Sequence, residues 1–83
     1  MNSIASKNNL TLDNESWRVA YREIVEQYQS GQMPTAFDKA LRATEKFPFS
    51  PDLWRLLGSI SQDLNRAEVT IAAFRQALAL SGD

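Results

Sequence analysis

The chain has 83 residues, enough for one small domain or a few repeat units but too few for two independent cores. Apolar residues make up 43% of it and charged residues 23%, which excludes a fully disordered chain, and the net charge of −1 gives no overall field that would attract nucleic acid or an anionic membrane. The absence of Cys excludes disulfides and thiolate metal sites, and the absence of His removes the most common general base and metal ligand.

Residues 1–13 are polar and rich in Asn and Ser, with no helical or strand period, and they predict a flexible N-terminal segment. The alternative is a strap in which Ile4, Leu10 and Leu12 cover a groove of the folded body. This segment lacks the continuous apolar stretch of a signal peptide, and nowhere do about eighteen apolar residues run together as a membrane span requires. We therefore expect no membrane partner and a cytoplasmic location.

A first amphipathic helix is predicted from Asp13 and Asn14 onward, where apolar residues recur at spacings of three and four. Asp13 or Asn14 can cap its start, and Ser30-Gly31 provides its end. Its apolar stripe comprises Trp17, Ala20, Tyr21, Ile24, Val25 and Tyr28.

Two further helices follow after short turns. The second opens at Pro34, whose missing N–H has no helical partner in a first turn, and it ends at Phe47-Pro48, because the residue before a proline avoids the helical region. The third opens at Pro51, with Ser50 as its cap.

The fourth helix begins after Asn65, which together with Glu68 resembles a capping box, and it ends at Ser81-Gly82. No segment alternates with a period of two, so no strand is expected. The sequence therefore predicts an all-α fold over residues 14–83, built from four helices in two hairpins.

The two hairpins look like copies of one unit. A shift of 34 residues superimposes small residues on small ones, turn formers on turn formers and terminators on terminators. The matched pairs include Ala43 with Ala77, Gly31 with Asn65, and Pro48 with Gly82.

The second unit resembles a tetratricopeptide repeat, whose length is about 34 residues. It has Trp54 followed by Leu57-Gly58, the Trp-x-x-Leu-Gly start of that family, and then Phe74 and Ala77. The first unit is similar, although Ala20 replaces the Trp. The resemblance implies two antiparallel hairpins, about 17–50 and about 51–83, stacked as a short right-handed solenoid.

A second family, the half-a-TPR scaffolds of RNA processing, is also similar to parts of the chain. The likeness rests on the Trp17, Tyr21 and Glu23 start and on the Phe47-Pro48 to Leu53-Trp54 junction. Gly58 with Phe74 and Ala77 favours the ordinary tetratricopeptide repeat, because Gly58 and Ala77 are small where two helices should cross closely, and Trp54 and Phe74 are large where a gap must be filled. An RNA-associated helical scaffold remains the alternative function.

The sequence gives little support for a catalytic site. Glu23 and Glu26 lie near each other on a helix, but a solvated helix face explains them better than an acid–base pair. Ser59 and Ser61 have no base within a helical turn. The three Gly are isolated, so there is no phosphate-binding loop, and the acidic residues form no recognised metal spacing. We expect a protein that is not an enzyme and needs no cofactor or metal.

Binding is expected on a concave face instead, since stacked helix pairs present the first helix of each pair to one curved wall. Arg55, Ser59 and Gln62 share one polar face of the third helix, and Tyr and Arg are enriched at binding hot spots. The alternative for the tyrosines is a purely structural place in the core. The resemblance implies that the wall comprises Arg18, Tyr21, Val25 and Tyr28 of the first helix, with Asp52, Arg55, Ser59 and Gln62 of the third.

The expected ligand is a peptide or helix of another protein, with mixed apolar and acidic character. Chaperone-tail receptors of the family clamp a terminal carboxylate with Lys and Asn. Such a clamp is not expected here, because Tyr21, Val25, Arg55 and Ser59 stand at those positions. The sequence thus predicts an adaptor, assembly factor or co-chaperone-like interaction module.

The fourth helix carries a candidate docking or dimer seam of Val69, Ile71, Leu78 and Leu80. No fifth helix follows to cover it, and burial of one Ile or Leu is worth roughly 1.5–3 kcal/mol. We expect these side chains to dock on a second copy, as in a homodimer, or on a larger partner. The alternatives are a fragment of a longer array and a helix tilted to hide them.

Overall fold

The computed structural model describes the backbone of residues 2–82 and the side chains of residues 16–82. Within this part of the chain the backbone forms four α-helices and no strand, so the predicted all-α fold of helical hairpins is confirmed. The helices are α1 (Asn2–Gln29), α2 (Met33–Lys46), α3 (Pro51–Asp63) and α4 (Ala67–Ser81).

Helix α1 begins at Asn2, so the predicted start at Asp13 or Asn14 is wrong. Residues 2–13 contain no Gly and no Pro, and a helix formed further along the chain propagates back through them at the gain of one hydrogen bond per residue. The flexibility of residues 1–13 stays a prediction. The predicted strap of Ile4, Leu10 and Leu12 lies outside the described side chains.

Two of the predicted helix ends are confirmed in detail. Ser50 is buried at the N-cap of α3, where its Oγ accepts a hydrogen bond of 3.3 Å from the Leu53 N–H. Gly82 ends α4 in the left-handed conformation, with φ of 79°. Both arrangements satisfy backbone groups that a helix end otherwise leaves unpaired.

The predicted capping box at the start of α4 is wrong. The N-cap is Arg66, whose side chain makes no cap hydrogen bond. Asn65 instead adopts a positive φ of 60°, and its N–H donates to the Gln62 carbonyl at 3.0 Å. Asn tolerates this left-handed conformation better than other side chains do, so it closes α3 rather than opening α4.

The helices stack as two hairpins. Helix α1 packs on α2, α3 packs on α4, α2 packs on α3, and α1 also contacts α3. Because the turns at residues 30–32, 47–50 and 64–66 are short, successive helices are antiparallel, and α1 and α3 therefore run side by side in the same direction. The largest fully buried side chains in the described residues include Ile24 of α1 with Leu53 and Ile60 of α3, which places α3 at the centre.

Candidate functional site

Helices α3 and α4 cross closely at Gly58. A Cβ on this residue would lie 2.8 Å from both Cε1 and Cζ of Phe74, so the absence of a side chain at Gly58 is what makes room for the ring. Ala77, one turn further along α4, is buried. The predicted meeting of a small residue with a large one at this crossing is confirmed for Gly58 and Phe74.

Trp54 lies one turn before Gly58 on α3, beside the first hairpin. Its indole N–H donates to the Pro48 carbonyl at 2.9 Å, which ties the body of α3 to the end of the preceding link. The ring borders a hollow of about 340 Å³ between α2, α3 and α4, together with Leu41 and Val69. Trp54 therefore borders the junction between the two hairpins.

The surface shared by α1 and α3, here called the α1–α3 face, carries the predicted concave residues. At its C-terminal end the Tyr28 hydroxyl donates a hydrogen bond to the Asp63 carboxylate. The hydrogen bond to Asp63 raises the pKa of Tyr28, and partial desolvation and the negative charge of the carboxylate add to the effect. This contact bridges the two parallel helices and fixes their spacing at this point.

Sequence reasoning missed Asp63. A signal for it was present, because Asp63 lies one position beyond the residue that matches Tyr28 under the 34-residue shift. Side chains at such positions on two parallel helices lie next to each other, and a phenol opposite a carboxylate forms a hydrogen bond.

An aromatic pair with an adjacent cation lies toward the N-terminal end of the α1–α3 face. Tyr21 is 36% exposed, and its ring meets the Trp17 ring edge to face at a centroid distance of 6.5 Å. The Arg18 guanidinium stands 5.1 Å from the Trp17 ring centre. Tyr21 therefore lies outside the core, whereas Tyr28 packs its ring against the core and turns its hydroxyl to Asp63.

On the α3 half of the α1–α3 face, Arg55 makes side-chain hydrogen bonds that the sequence does not predict. Arg55 donates to the Asp52 carboxylate at 3.0 Å and to the Ser81 hydroxyl of α4 at 2.8 Å. Ser59 is half-buried, and Gln62 borders a hollow of about 260 Å³ at the turn between α3 and α4. Arg55 and Gln62 thus lie at the α4 edge of α3, while Asp63 lies at its α1 edge.

The predicted seam divides into two parts. Ile71 and Leu78 are 53% and 55% exposed, and because seven residues make about two turns they lie on one side of α4, which we call its outer face. Leu80 is less exposed and lies on the side of α4 that carries Val69. Val69 is half-buried against the core, on the side of α4 that borders α2. A helix turns about 100° per residue, which separates Val69 from Ile71 and explains why the four residues do not form one continuous stripe.

A groove between α1 and α2, which sequence reasoning missed, has a volume of about 420 Å³. Its apolar floor includes Val19, Ala20 and Ile24, and here it is called the α1–α2 groove. Lys39, Arg42 and Lys46 lie along its α2 edge, and Glu23 lies on its α1 side. Val19 marks this groove. It matches the buried Leu53 under the 34-residue shift, yet the structure leaves it 49% exposed.

None of the helices in the described part of the chain combines the length and hydropathy that crossing a bilayer requires. Among the same residues, the acidic side chains form no group of three or more that could hold a metal ion. Comparison of the chain with protein-family models, with curated proteins and with solved structures found no match.

Proposed function

We propose that the chain is a non-enzymatic protein-interaction module of the tetratricopeptide type, acting as an adaptor or assembly factor, and that the α1–α3 face binds a peptide or helix of another protein. A cytoplasmic location is part of this proposal. The resemblance of the second hairpin to the family motif supports it, as does the stacking of two hairpins with α1 beside α3.

The observation that carries the proposal is the bridge between Tyr28 and Asp63. It holds two parallel helices at a fixed spacing and so makes one continuous surface from residues far apart in the chain. A surface that is already ordered before binding loses little conformational entropy when a ligand arrives. Tyr21 and Arg18 project from this rigid support, and both residue types are common at binding hot spots.

The chemistry of the face favours a ligand with apolar and acidic side chains. Arg18 is exposed, with its guanidinium 5.1 Å from the Trp17 ring centre, and it offers a positive charge to a carboxylate. Tyr21 and the half-buried Val25 offer apolar contact beside it. Arg55 uses two of its five N–H donors on Asp52 and Ser81, which leaves further donors for a ligand.

Selection of peptides from a displayed random library, followed by affinity measurements on variants, tests the proposal. Tyr21→Ala is expected to weaken selected peptides about tenfold or more, as loss of a hot-spot aromatic does. Phe49→Ala is the matched control, because it removes a ring that is 52% exposed but lies in the link between α2 and α3. Equal affinity for both variants, or no selected peptide, contradicts the proposed face.

The alternative, an RNA-associated scaffold, predicts a different response to salt. Contacts with phosphates release counterions, so RNA affinity falls steeply as the salt concentration rises, whereas a peptide bound largely by apolar contact loses little. Titration of a single-stranded RNA oligonucleotide and of a selected peptide over a salt series separates the two. Tight, steeply salt-dependent RNA binding that Arg18→Ala weakens favours the scaffold.

A further inference from the structure

Two apolar surfaces in the described part of the chain have no covering element. One is the α1–α2 groove, where Val19 is 49% exposed, and the other is the outer face of α4, with Ile71 and Leu78. They belong to different hairpins and therefore lie at opposite ends of the stack. A single contact between two copies would cover both.

The same kind of contact already exists inside the chain. Helix α2 packs on α3, and Leu41 and Thr44 of α2 share a hollow with residues of α3 and α4. A shift of 34 residues takes three of the α3 and α4 residues around that hollow onto residues of the α1–α2 groove. The pairs are Trp54 with Ala20, Leu57 with Glu23, and Ala73 with Lys39. The α1–α2 groove of the first hairpin therefore corresponds to the surface of the second hairpin that α2 covers.

The complementary half of the contact is also present. Thr44 is buried on α2, whereas Leu78, its equivalent on α4, is exposed. Phe37 is half-buried beneath the Arg66 guanidinium, 4.9 Å from its ring centre, whereas its equivalent Ile71 is exposed. Helix α4 thus displays on its outer face apolar side chains at the positions that are covered in α2.

From this double equivalence we infer that the chain associates head to tail, with α4 of one copy seated in the α1–α2 groove of the next, as α2 is seated against α3 and α4. The contact uses neither Tyr21 nor Tyr28, so it is separate from peptide binding on the α1–α3 face. It depends instead on Val19 in the groove and on Ile71 and Leu78 on the inserted helix.

The charges agree with this docking at one position. Under the 34-residue shift, Arg75 matches Leu41 and Glu23 matches Leu57. These two leucines line the hollow between α2, α3 and α4. Docking therefore brings Arg75 of one copy and Glu23 of the next to a common hollow. Lys39, Arg42 and Lys46 lie along the α2 edge of the α1–α2 groove, so Glu23 is the acidic lining residue that Arg75 would meet there.

The contact is heterologous, meaning that two different surfaces meet. Such contacts either close into a ring or continue as an open chain, whereas a symmetric contact between two α4 helices stops at a dimer. Sedimentation velocity over a concentration series distinguishes these outcomes. For the wild type we expect the mean mass to increase beyond that of a dimer.

Two blocked variants test the geometry directly. Val19→Asp blocks the groove and Ile71→Asp blocks the inserted helix, and both positions are exposed enough to accept a charge without unfolding. Each variant alone is expected to associate at least about tenfold more weakly. An equimolar mixture still has one intact groove and one intact α4, so it forms a dimer and stops there. Two misfolded variants could not restore each other in this way.

A matched control and a charge exchange complete the experiment. Ala72→Asp places the same charge on α4, at the position that matches Asp38 of α2 under the 34-residue shift. Because Asp38 is exposed on α2, this variant should associate as the wild type does. Glu23→Arg leaves only cations as charged lining residues opposite Arg75 and should weaken association about fivefold, or ~1 kcal/mol, and adding Arg75→Glu to the same chain should restore it.

Three results overturn the inference. If the wild type stays monomeric at every concentration, the two surfaces do not bind each other, and the partners that remain for them are helices of other proteins. A Val19→Asp variant that dimerises as the wild type does indicates a symmetric contact between α4 helices. A mixture of Val19→Asp and Ile71→Asp that stays monomeric shows that the groove and α4 do not meet. Peptide binding on the α1–α3 face survives all three, since none of these variants alters that face.

Discussion

Replacement of Gly58 by Ala tests the close crossing of α3 and α4. The new Cβ would lie 2.8 Å from Cε1 and Cζ of Phe74, which is closer than carbon atoms pack, so the ring must move. Overpacking of this kind costs about 1–3 kcal/mol. Ala is a better helix former than Gly by ~1 kcal/mol, and the two effects oppose each other. We expect a net decrease of about 1 kcal/mol in the free energy of unfolding.

Urea unfolding at one fixed protein concentration measures this change, with the fluorescence of Trp17 and Trp54 as the signal. The control is the same substitution in a Phe74→Leu background. In the Phe74→Leu background no ring clashes with the new Cβ. The higher helix propensity of Ala then acts alone, so Gly58→Ala should raise the free energy of unfolding by up to ~1 kcal/mol. The sign of the effect thus depends on Phe74.

The double-mutant cycle gives the decisive number. We expect the two substitutions to be coupled by at least about 1 kcal/mol, because residues in contact are not additive. Additivity within ~0.5 kcal/mol would refute the reasoning, since it would mean that the ring of Phe74 does not occupy the space beside Gly58. The close crossing of α3 and α4 at Gly58 would then lose its support as well.

Two further predictions concern single hydrogen bonds. In a Tyr21→Phe background, titration of tyrosinate absorbance should show that the pKa of Tyr28 is above its ordinary value of about 10, and Asp63→Asn should lower it toward that value. Because the pKa is raised in the folded state, the stability from this bond is complete below the unfolded pKa and is lost as the pH rises through the folded one. Ser50→Ala should lower the free energy of unfolding by ~1 kcal/mol, because the Leu53 N–H loses its cap; an unchanged urea midpoint contradicts this.

The sequence predicted the helices well where Gly and Pro mark their ends. Pro34 lies in the first turn of α2 and Pro51 opens α3, while Gly31 and Gly82 adopt the positive φ that helix ends favour. These residues act through their own backbone, so a local pattern is sufficient. The start of α1 was mispredicted because residues 2–13 contain no such marker, and a polar composition alone does not stop a helix.

The candidate site was only partly predictable, because it depends on which residues meet across helices. The meeting of Gly58 and Phe74 was predicted correctly, since the resemblance to the repeat motif implied that crossing. The partner of Tyr28 was missed, because Asp63 falls just outside the matched position. Val69 was grouped with Ile71 by proximity in sequence, although the helical turn places them on different sides of α4.

The α1–α2 groove escaped prediction because it shows only when the two hairpins are compared position by position. Equivalent positions of the two hairpins differ in burial, since only one of them is covered by a neighbouring helix. Leu53 is fully buried, whereas its equivalent Val19 is exposed, and the buried Ala73 matches the exposed Lys39. A search for apolar residues alone finds the floor of the groove but not its charged edge, which the comparison of the two hairpins adds.

Arg55 allows the stability and the binding of the α1–α3 face to be separated. Its guanidinium bonds to the Ser81 hydroxyl, which in turn donates to the Ala77 carbonyl at 2.9 Å. Ser81→Ala removes this link to α4 but leaves Arg55 in place. Because exposed polar links contribute at most about 1 kcal/mol, both Ser81→Ala and Arg55→Ala should leave the chain folded by circular dichroism. Only Arg55→Ala should weaken a peptide selected on the wild type, and an equal loss for Ser81→Ala would mean that Arg55 acts by positioning α4 and does not contact the ligand.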